Sequence, residues 1–136
     1  MKKLLICLFI IIVGAGFLGW KKETAQIFFS TSPFVGGDEK FSQTDFQKGE
    51  KIFYLIKNPK GFTDDVIRIQ ILKKNDKSLA GGYTFSFTED IEVEVGSKFF
   101  ADEFQLYEKG IYYMQVTEFS NDTKPIAFGI FGIKDE

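Results

Sequence analysis

The chain has 136 residues, of which 26% are charged, and its net charge is −2. This length suits a single domain, and the weak acidity argues against nucleic acid as a partner because cations are not in surplus to neutralise phosphates. The sequence contains no histidine, and its one cysteine is Cys7. The part beyond Cys7 therefore lacks imidazole and thiolate groups, which excludes catalytic residues and metal sites of those types. We expect no catalytic residues, metal or cofactor, and hence no enzyme.

The first 22 residues form a distinct segment. Met1-Lys2-Lys3 precedes an almost unbroken apolar run from Leu4 to Trp20, and Lys21-Lys22 follows it. A basic head before an apolar stretch is typical of an export signal or a membrane anchor, and 17 residues is close to the shortest helix that spans a bilayer. We therefore divide the chain into a hydrophobic helix at 1–22 and a domain at 23–136. The residues expected to contact the membrane are Leu4, Leu8, Ile11, Phe17 and Trp20.

Two fates of this segment stay open. Small residues that would suit signal cleavage occur at 13–16, but the apolar run continues past them to Trp20, whose position beside two lysines is typical of an interfacial anchor. An uncleaved segment predicts a single-pass protein of the cytoplasmic membrane with its domain outside. A cleaved one predicts a periplasmic or secreted domain.

The remainder of the chain is predicted to be rich in β-structure. Apolar and polar residues alternate, as at Ile67, Ile69 and Ile71, and turn-forming residues separate the segments. A polar loop at 38–48 carries Phe41 and Phe46, which we expect to point inward. No helical segment of about 10–15 residues separates successive strands, which excludes a parallel α/β fold. The predicted strands are 25–31, 51–57, 66–72, 83–88, 91–95, 103–107, 111–119 and 126–133.

One stretch resembles a known family. Glu108, Gly110 and Tyr112 have the spacing that leads into strand F of immunoglobulin-like domains, while Met114 stands where antibody domains have a disulfide cysteine. Residues 45–133 therefore resemble the cysteine-free, bacterial immunoglobulin-like or fibronectin-like sandwiches. The resemblance implies an all-β, antiparallel sandwich of about seven strands, with the Tyr112 hydroxyl bonded to the corner backbone. It also implies an adhesion, spacer or assembly role.

The segment Glu89–Glu94 contains four acidic residues, and Asp64-Asp65 could lie nearby. Calcium prefers several carboxylate and carbonyl oxygens, so this segment is one candidate for calcium binding. The favoured interpretation is a strand with Glu92 and Glu94 in water and Ile91, Val93 and Val95 inward, because no Asp-x-Asp-x-Asp loop is present.

Aromatic residues give a candidate binding face. Strict alternation predicts that Tyr83, Phe85 and Phe87 share a face, and Tyr54 and Tyr113 would join it if they point outward on neighbouring strands. The favoured interpretation is that these residues belong to the core. In the last predicted strand, Gly129 and Gly132 indicate either a bulge or the close approach of another backbone.

These observations favour a non-enzymatic binding or assembly module at the outer face of the cytoplasmic membrane. Its expected partners are the membrane, through the N-terminal segment, and a protein of the cell envelope. The alternative is a periplasmic or secreted domain that binds a carbohydrate. The sequence leaves the oligomeric state open.

Overall fold

The computed structural model of the chain describes residues 24–35, 42–75, 82–121 and 124–135. These residues form eight β-strands and one short 3-10 helix, Phe119–Asn121. The predicted N-terminal helix, its five membrane-contacting residues and Phe41 lie outside the described residues. Within the described ranges, no helix is long and apolar enough to cross a membrane. The strands are β1 Gln26–Ser30, β2 Asp45–Gln47, β3 Lys51–Lys57, β4 Val66–Lys74, β5 Tyr83–Glu92, β6 Phe99–Gln105, β7 Gly110–Glu118 and β8 Ala127–Lys134.

The strands form two sheets. One has three strands in the order β1-β3-β6, and the other has five in the order β2-β8-β7-β4-β5. Every neighbouring pair is antiparallel except β2 and β8, which run parallel over three residue pairs. The predicted all-β, mainly antiparallel sandwich is therefore confirmed, and β2 adds an edge strand within the predicted polar loop.

Side-chain alternation places the core between the sheets. On β4, Ile67, Ile69 and Ile71 are buried, whereas Arg68 and Gln70 lie on the opposite face, as predicted. Successive residues of a strand point to opposite faces, so one strand can supply both core and surface. Phe46 is also buried, which confirms its inward position.

Phe131 occupies the centre of an aromatic core. Its ring stacks on Tyr112 with the centroids 5.5 Å apart and the planes 8° apart. Three further rings contact it at centroid distances of 5.0 to 6.3 Å, and they belong to Phe29, Phe104 and Phe46. Aromatic pairs at such distances add to the stability that area burial supplies. This cluster connects the two sheets. The one cysteine of the sequence, Cys7, precedes the domain, so no disulfide within the domain can do so.

Gly129 makes room for one of these rings. A Cβ atom at this position would lie 2.6 Å from the ring of Phe29 on the opposite sheet. Such a distance is shorter than real side chains tolerate, so the glycine is required by the packing of Phe29. The group that approaches Gly129 is therefore an aromatic side chain and not the backbone that the sequence led us to expect.

The strand boundaries differ most from the prediction in two places. The segments 83–88 and 91–95 form one strand, β5, which ends at Glu92, and Val95 is exposed because the chain turns at Gly96, whose φ is +86°. The strand predicted at 103–107 is instead Phe99–Gln105, and Tyr107 is exposed. In both places aromatic and β-branched residues extend beyond the strand ends, so composition alone misplaces the turn.

Candidate docking surface on the five-stranded sheet

A row of apolar side chains crosses the outer face of the five-stranded sheet. Leu72 on β4 is paired in register with Phe85 on β5 and with Tyr113 on β7. Tyr113 is in turn paired with Ile130 on β8. Directly opposed residues of neighbouring strands point to the same face of a sheet. The row Phe85–Leu72–Tyr113–Ile130 therefore spans four adjacent strands.

Three neighbours widen this row into a patch. The Tyr83 ring lies 5.8 Å from that of Tyr113, and the Phe128 ring lies 5.4 Å from it on the other side. Ile111 precedes Tyr113 by two residues on β7 and is about half exposed. We call the following seven residues the outer patch: Leu72, Tyr83, Phe85, Ile111, Tyr113, Phe128 and Ile130.

The outer patch exposes a large apolar area. Phe85 is 68% exposed and Ile130 is 61% exposed, and three further members are about half exposed. A whole aromatic side chain presents about 150–250 Å², so the patch exposes roughly 500 Å². The largest apolar patch on a monomeric protein covers about 300–600 Å² and is often functional. This face therefore has the size of an interaction surface.

Polar groups border the patch on one side. The guanidinium of Arg68 donates hydrogen bonds of 2.8 and 3.2 Å to the carboxylate of Asp90, and it lies 4.8 Å from the ring centre of Phe119. The hydrogen bond from Arg68 holds the pKa of Asp90 below its usual value. Between this ion pair and the patch, Gln115 donates a hydrogen bond to Gln70. The border is thus polar but nearly neutral in charge.

The structure brings together three of the five aromatic residues predicted to form a binding face. Tyr83, Phe85 and Tyr113 belong to the outer patch, but the expectation of a shared face is wrong for Phe87 and Tyr54. Ile71 and Leu72 are consecutive on β4, yet they pair with Phe87 and Phe85, so Ser86 is an extra residue at a β-bulge. The bulge turns Phe87 inward, where its ring lies 6.3 Å from that of Phe104.

Tyr54 lies on the other sheet, where it is 3% exposed. Its ring packs between Phe100 and Phe104, with centroid distances of 6.2 and 5.8 Å. Burial raises the pKa of its hydroxyl, with smaller contributions from the charges of Asp102 and Glu89. Tyr54 is therefore a core residue, as the favoured interpretation of these aromatics expected.

Sequence reasoning missed four members of the outer patch, namely Leu72, Ile111, Phe128 and Ile130. The available signal was in β8, where Ala127 to Ile133 is apolar or glycine at every position. An antiparallel strand with one face in water normally alternates apolar with polar residues. A strand that is apolar on both faces indicates that its outer face is to be covered.

The structural corner forms as the resemblance implied. The Tyr112 hydroxyl donates a 2.7 Å hydrogen bond to the backbone carbonyl of Glu108. The Glu108 carboxylate in turn lies 2.6 Å from the ammonium group of Lys73 on β4, which lowers the pKa of Glu108. Gly110 has a φ of +154°, and a Cβ there would meet Lys73 at 2.6 Å. The corner positions β7, and hence Tyr113, within the sheet.

A charged depression lies at the same end of the sandwich. Its lysines are matched by carboxylates: Lys134 lies 3.3 Å from Asp45, and Lys109 lies 3.6 Å from Asp135. Lys48 also pairs with Asp135, and its hydrogen bond lowers the pKa of that carboxyl group. The charges of the depression therefore neutralise one another, and the ion pairs join the ends of neighbouring strands.

The acidic segment at 89–94 forms no cluster with other acids. Asp90 pairs with Arg68, and Asp64 accepts two hydrogen bonds from Ser120. Within the described ranges, no three acidic side chains approach one another in an arrangement that could hold a metal ion. Glu92 and Glu94 are exposed, while Ile91 and Val93 pack against the core.

Comparison with solved structures identifies the architecture. An immunoglobulin-like protein from Pseudomonas aeruginosa matches 81% of this chain and 91% of its own, with 13% identity and a TM-score of 0.51. The fold is immunoglobulin-like. In that scheme β3, β4 and β7 take the places of strands B, C and F, and β5 lies beside strand C as C′ does in variable-type domains.

Two further solved structures are similar at lower scores. The soluble domain of PmoD from Methylocystis matches 81% of this chain and 90% of its own, with 12% identity and a TM-score of 0.49. A superoxide reductase (neelaredoxin) from Ignicoccus hospitalis matches 85% and 84%, with 8% identity and a TM-score of 0.47. No protein-family model matches the sequence, and no curated protein matches it.

Proposed function

We propose that this protein is a non-enzymatic assembly module of the bacterial cell envelope that binds a protein partner through the outer patch. The observation that carries the proposal is the uncharged row Phe85–Leu72–Tyr113–Ile130, which lies on the outer face of the sheet with Phe85 and Ile130 exposed. Protein interfaces commonly have an aromatic, uncharged centre and a polar border. The Arg68–Asp90 pair and the two glutamines supply such a border.

Localisation forms the second part of the proposal. The apolar segment Leu4 to Trp20 holds the domain at the outer face of the cytoplasmic membrane, with Trp20 and the two following lysines at the interface. The mass of the mature chain tests this part. We expect the full mass and retention in membranes after alkaline extraction, whereas loss of about 15 residues contradicts the anchor.

The non-enzymatic part rests on residue chemistry. The whole sequence lacks histidine, which is the commonest general base, and its one cysteine lies in the N-terminal segment. The acids near the charged depression are engaged with lysines, as Asp45 and Glu108 are. These carboxylates form ion pairs that stabilise the strand ends, so we assign them a structural and not a catalytic role.

Site-specific photo-crosslinking in intact membranes tests the docking surface. A photoreactive phenylalanine replaces Phe85 in the full chain, and the matched control replaces Val35, which is 79% exposed in the connection after β1. We expect a discrete protein adduct from position 85 and only background labelling from position 35. Equal labelling at the two positions contradicts the proposed surface.

A second candidate function is carbohydrate binding by a cleaved, soluble form. The observation that favours it is the hydrogen-bonded pair Gln70 and Gln115, of which Gln115 lies directly opposite the exposed Phe128 on β8. Sugars are bound by aromatic faces with adjacent hydrogen-bonding groups. Co-sedimentation of the mature chain with insoluble envelope polysaccharide tests this candidate, and Gln115→Ala is expected to weaken binding more than Gln43→Ala.

A further inference from the structure

We infer that the occupant of the outer patch is a second copy of this chain, bound face to face through the two five-stranded sheets. This inference rests on the proposed function, because it names the partner of the same surface. Its consequence is that the module is a two-fold symmetric homodimer in the envelope.

The first argument is area. The outer patch exposes roughly 500 Å² of apolar surface, and stable interfaces bury about 800 Å² on each partner. Its border of Gln70, Gln115 and the Arg68–Asp90 pair, whose charged side chains are 33% and 44% exposed, adds further area on the same sheet face. Two copies that cover both the patch and its border therefore approach the lower end of the standard interface size.

The second argument is charge. None of the seven members of the outer patch is charged. At one end of this face Arg68 and Asp90 neutralise each other. At the other end the exposed Lys74 lies directly opposite Tyr83. A strongly basic partner would find no complementary charge on the patch. A second copy brings an equally uncharged patch, and Lys74 at the rim keeps its ammonium group in water.

The third argument is shape and symmetry. Two twisted sheets pack face to face about 10 Å apart, as the two sheets of this domain do. A two-fold axis parallel to the strands, between Leu72 and Tyr113, places Phe85 opposite the partner's Ile130. It also places Leu72 opposite the partner's Tyr113. Each contact then joins a ring to an aliphatic group, which allows the two rows to interdigitate.

A membrane tether favours this association. Two chains held in the same bilayer by residues 4–20 meet at a high effective concentration, so even modest intrinsic affinity suffices for pairing. Strand β1, the first strand of the described residues, lies in the other sheet and does not cover the outer patch. The outer patch is therefore accessible to a copy that approaches from the side.

Thiol crosslinking in membranes tests the pairing geometry. The full chain carries Cys7→Ser, and one population carries Phe85→Cys while a second, distinguishable by a tag, carries Ile130→Cys. A short thiol-to-thiol crosslinker spans one gap between sheets. The two positions lie three strand spacings apart, roughly 14 Å, so two copies of Phe85→Cys face each other poorly. We expect the mixed adduct to exceed the Phe85→Cys self-adduct by at least about tenfold.

Lysine substitution tests the energetics in the same full chain. Ile130→Lys is expected to lower the yield of dimer by at least about tenfold, because the new charge would be buried against the partner's Phe85. The matched control Val35→Lys adds the same charge outside the patch and should leave the yield unchanged. Thermal unfolding verifies that each variant is folded, and Phe85→Lys replaces Ile130→Lys if the latter does not fold.

The outcomes separate this inference from the proposed function. A photo-adduct from position 85 with the mass of two chains, together with the preferred mixed crosslink, supports the dimer. A photo-adduct with a different protein and no mixed crosslink overturns the dimer but leaves the docking surface standing. Dimer yields that Ile130→Lys and Phe85→Lys leave unchanged also overturn the inference.

Discussion

Tyr112 connects three parts of the molecule through one side chain. Its hydroxyl reaches back to the Glu108 carbonyl, and its ring stacks on Phe131 in the centre of the core. Burial raises the pKa of the hydroxyl, and the neighbouring ammonium of Lys73 opposes this shift. Tyr112, the third residue of β7, thus connects the turn before this strand to the core.

Removing the Tyr112 hydroxyl should destabilise the domain by about 1 kcal/mol. The substitution Tyr112→Phe keeps the stacked ring but leaves the Glu108 carbonyl without this donor. Urea unfolding of the full chain measures the change. The control Tyr107→Phe removes a hydroxyl from a side chain that is 70% exposed, and it should alter stability by less than about 0.5 kcal/mol. Equal effects of the two substitutions would show that the corner bond contributes nothing.

The corner was predictable because its signal is local. Glu108, Gly110 and Tyr112 lie within five residues, and it is their resemblance to the start of strand F in immunoglobulin-like domains that implies the backbone bond. The ion pair between Glu108 and Lys73 was not predictable, since it joins positions 35 residues apart through the pairing of β4 with β7. Contacts between strands depend on register, which no local pattern contains.

At the scale of elements, β5 shows how a bulge defeats the alternation rule. Tyr83, Phe85 and Phe87 alternate strictly with hydroxyl residues, which predicts one shared face. The extra residue Ser86 reverses the alternation, so Phe85 is exposed and Phe87 packs against Phe104. A bulge twists an edge strand away from further pairing, which suits β5 at the free edge of its sheet.

Deleting Ser86 should leave Phe85 and Phe87 on opposite faces and change stability by no more than about 1 kcal/mol, because the deletion turns the bulge into a regular ladder. Cysteine labelling of the full Cys7→Ser chain measures exposure at each position. With or without Ser86, Phe85→Cys should react much faster than Phe87→Cys. If the two react alike when Ser86 is present and differ only after its deletion, β5 has no bulge.

Two strands of the outer patch, β4 and β8, differed in how far they could be predicted. The isoleucines of β4 alternate with Arg68 and Gln70, so their inward positions followed from the sequence. In β8 both faces are apolar, and Phe128 and Ile130 could not be distinguished from core residues such as Phe131. Apolar content reports how much surface is to be buried, but it does not tell whether the domain itself or a partner buries it.

At the scale of the whole molecule, the pKa values of carboxyl groups and of tyrosine hydroxyls are shifted in opposite directions. Hydrogen bonds from Arg68, Ser120, Lys73 and Lys48 lower the pKa values of exposed carboxyl groups, whereas burial raises those of tyrosine hydroxyls. The sequence has no histidine that would titrate between about pH 5 and 8. The carboxyl groups are Asp90, Asp64, Glu108 and Asp135, and the tyrosines are Tyr54, Tyr112 and Tyr113.

We expect the free energy of unfolding to be nearly constant from about pH 5 to 9 and to fall on both sides. A lowered carboxyl pKa stabilises the folded state above the unfolded value near 4, and this contribution is lost as the pH falls through the folded pKa. A raised tyrosine pKa stabilises below about 10, and this contribution is lost as the pH rises through the folded pKa. Urea unfolding at constant ionic strength measures both limbs. Asp90→Asn should flatten the acid limb, and a transition centred between pH 5 and 8 would contradict this assignment.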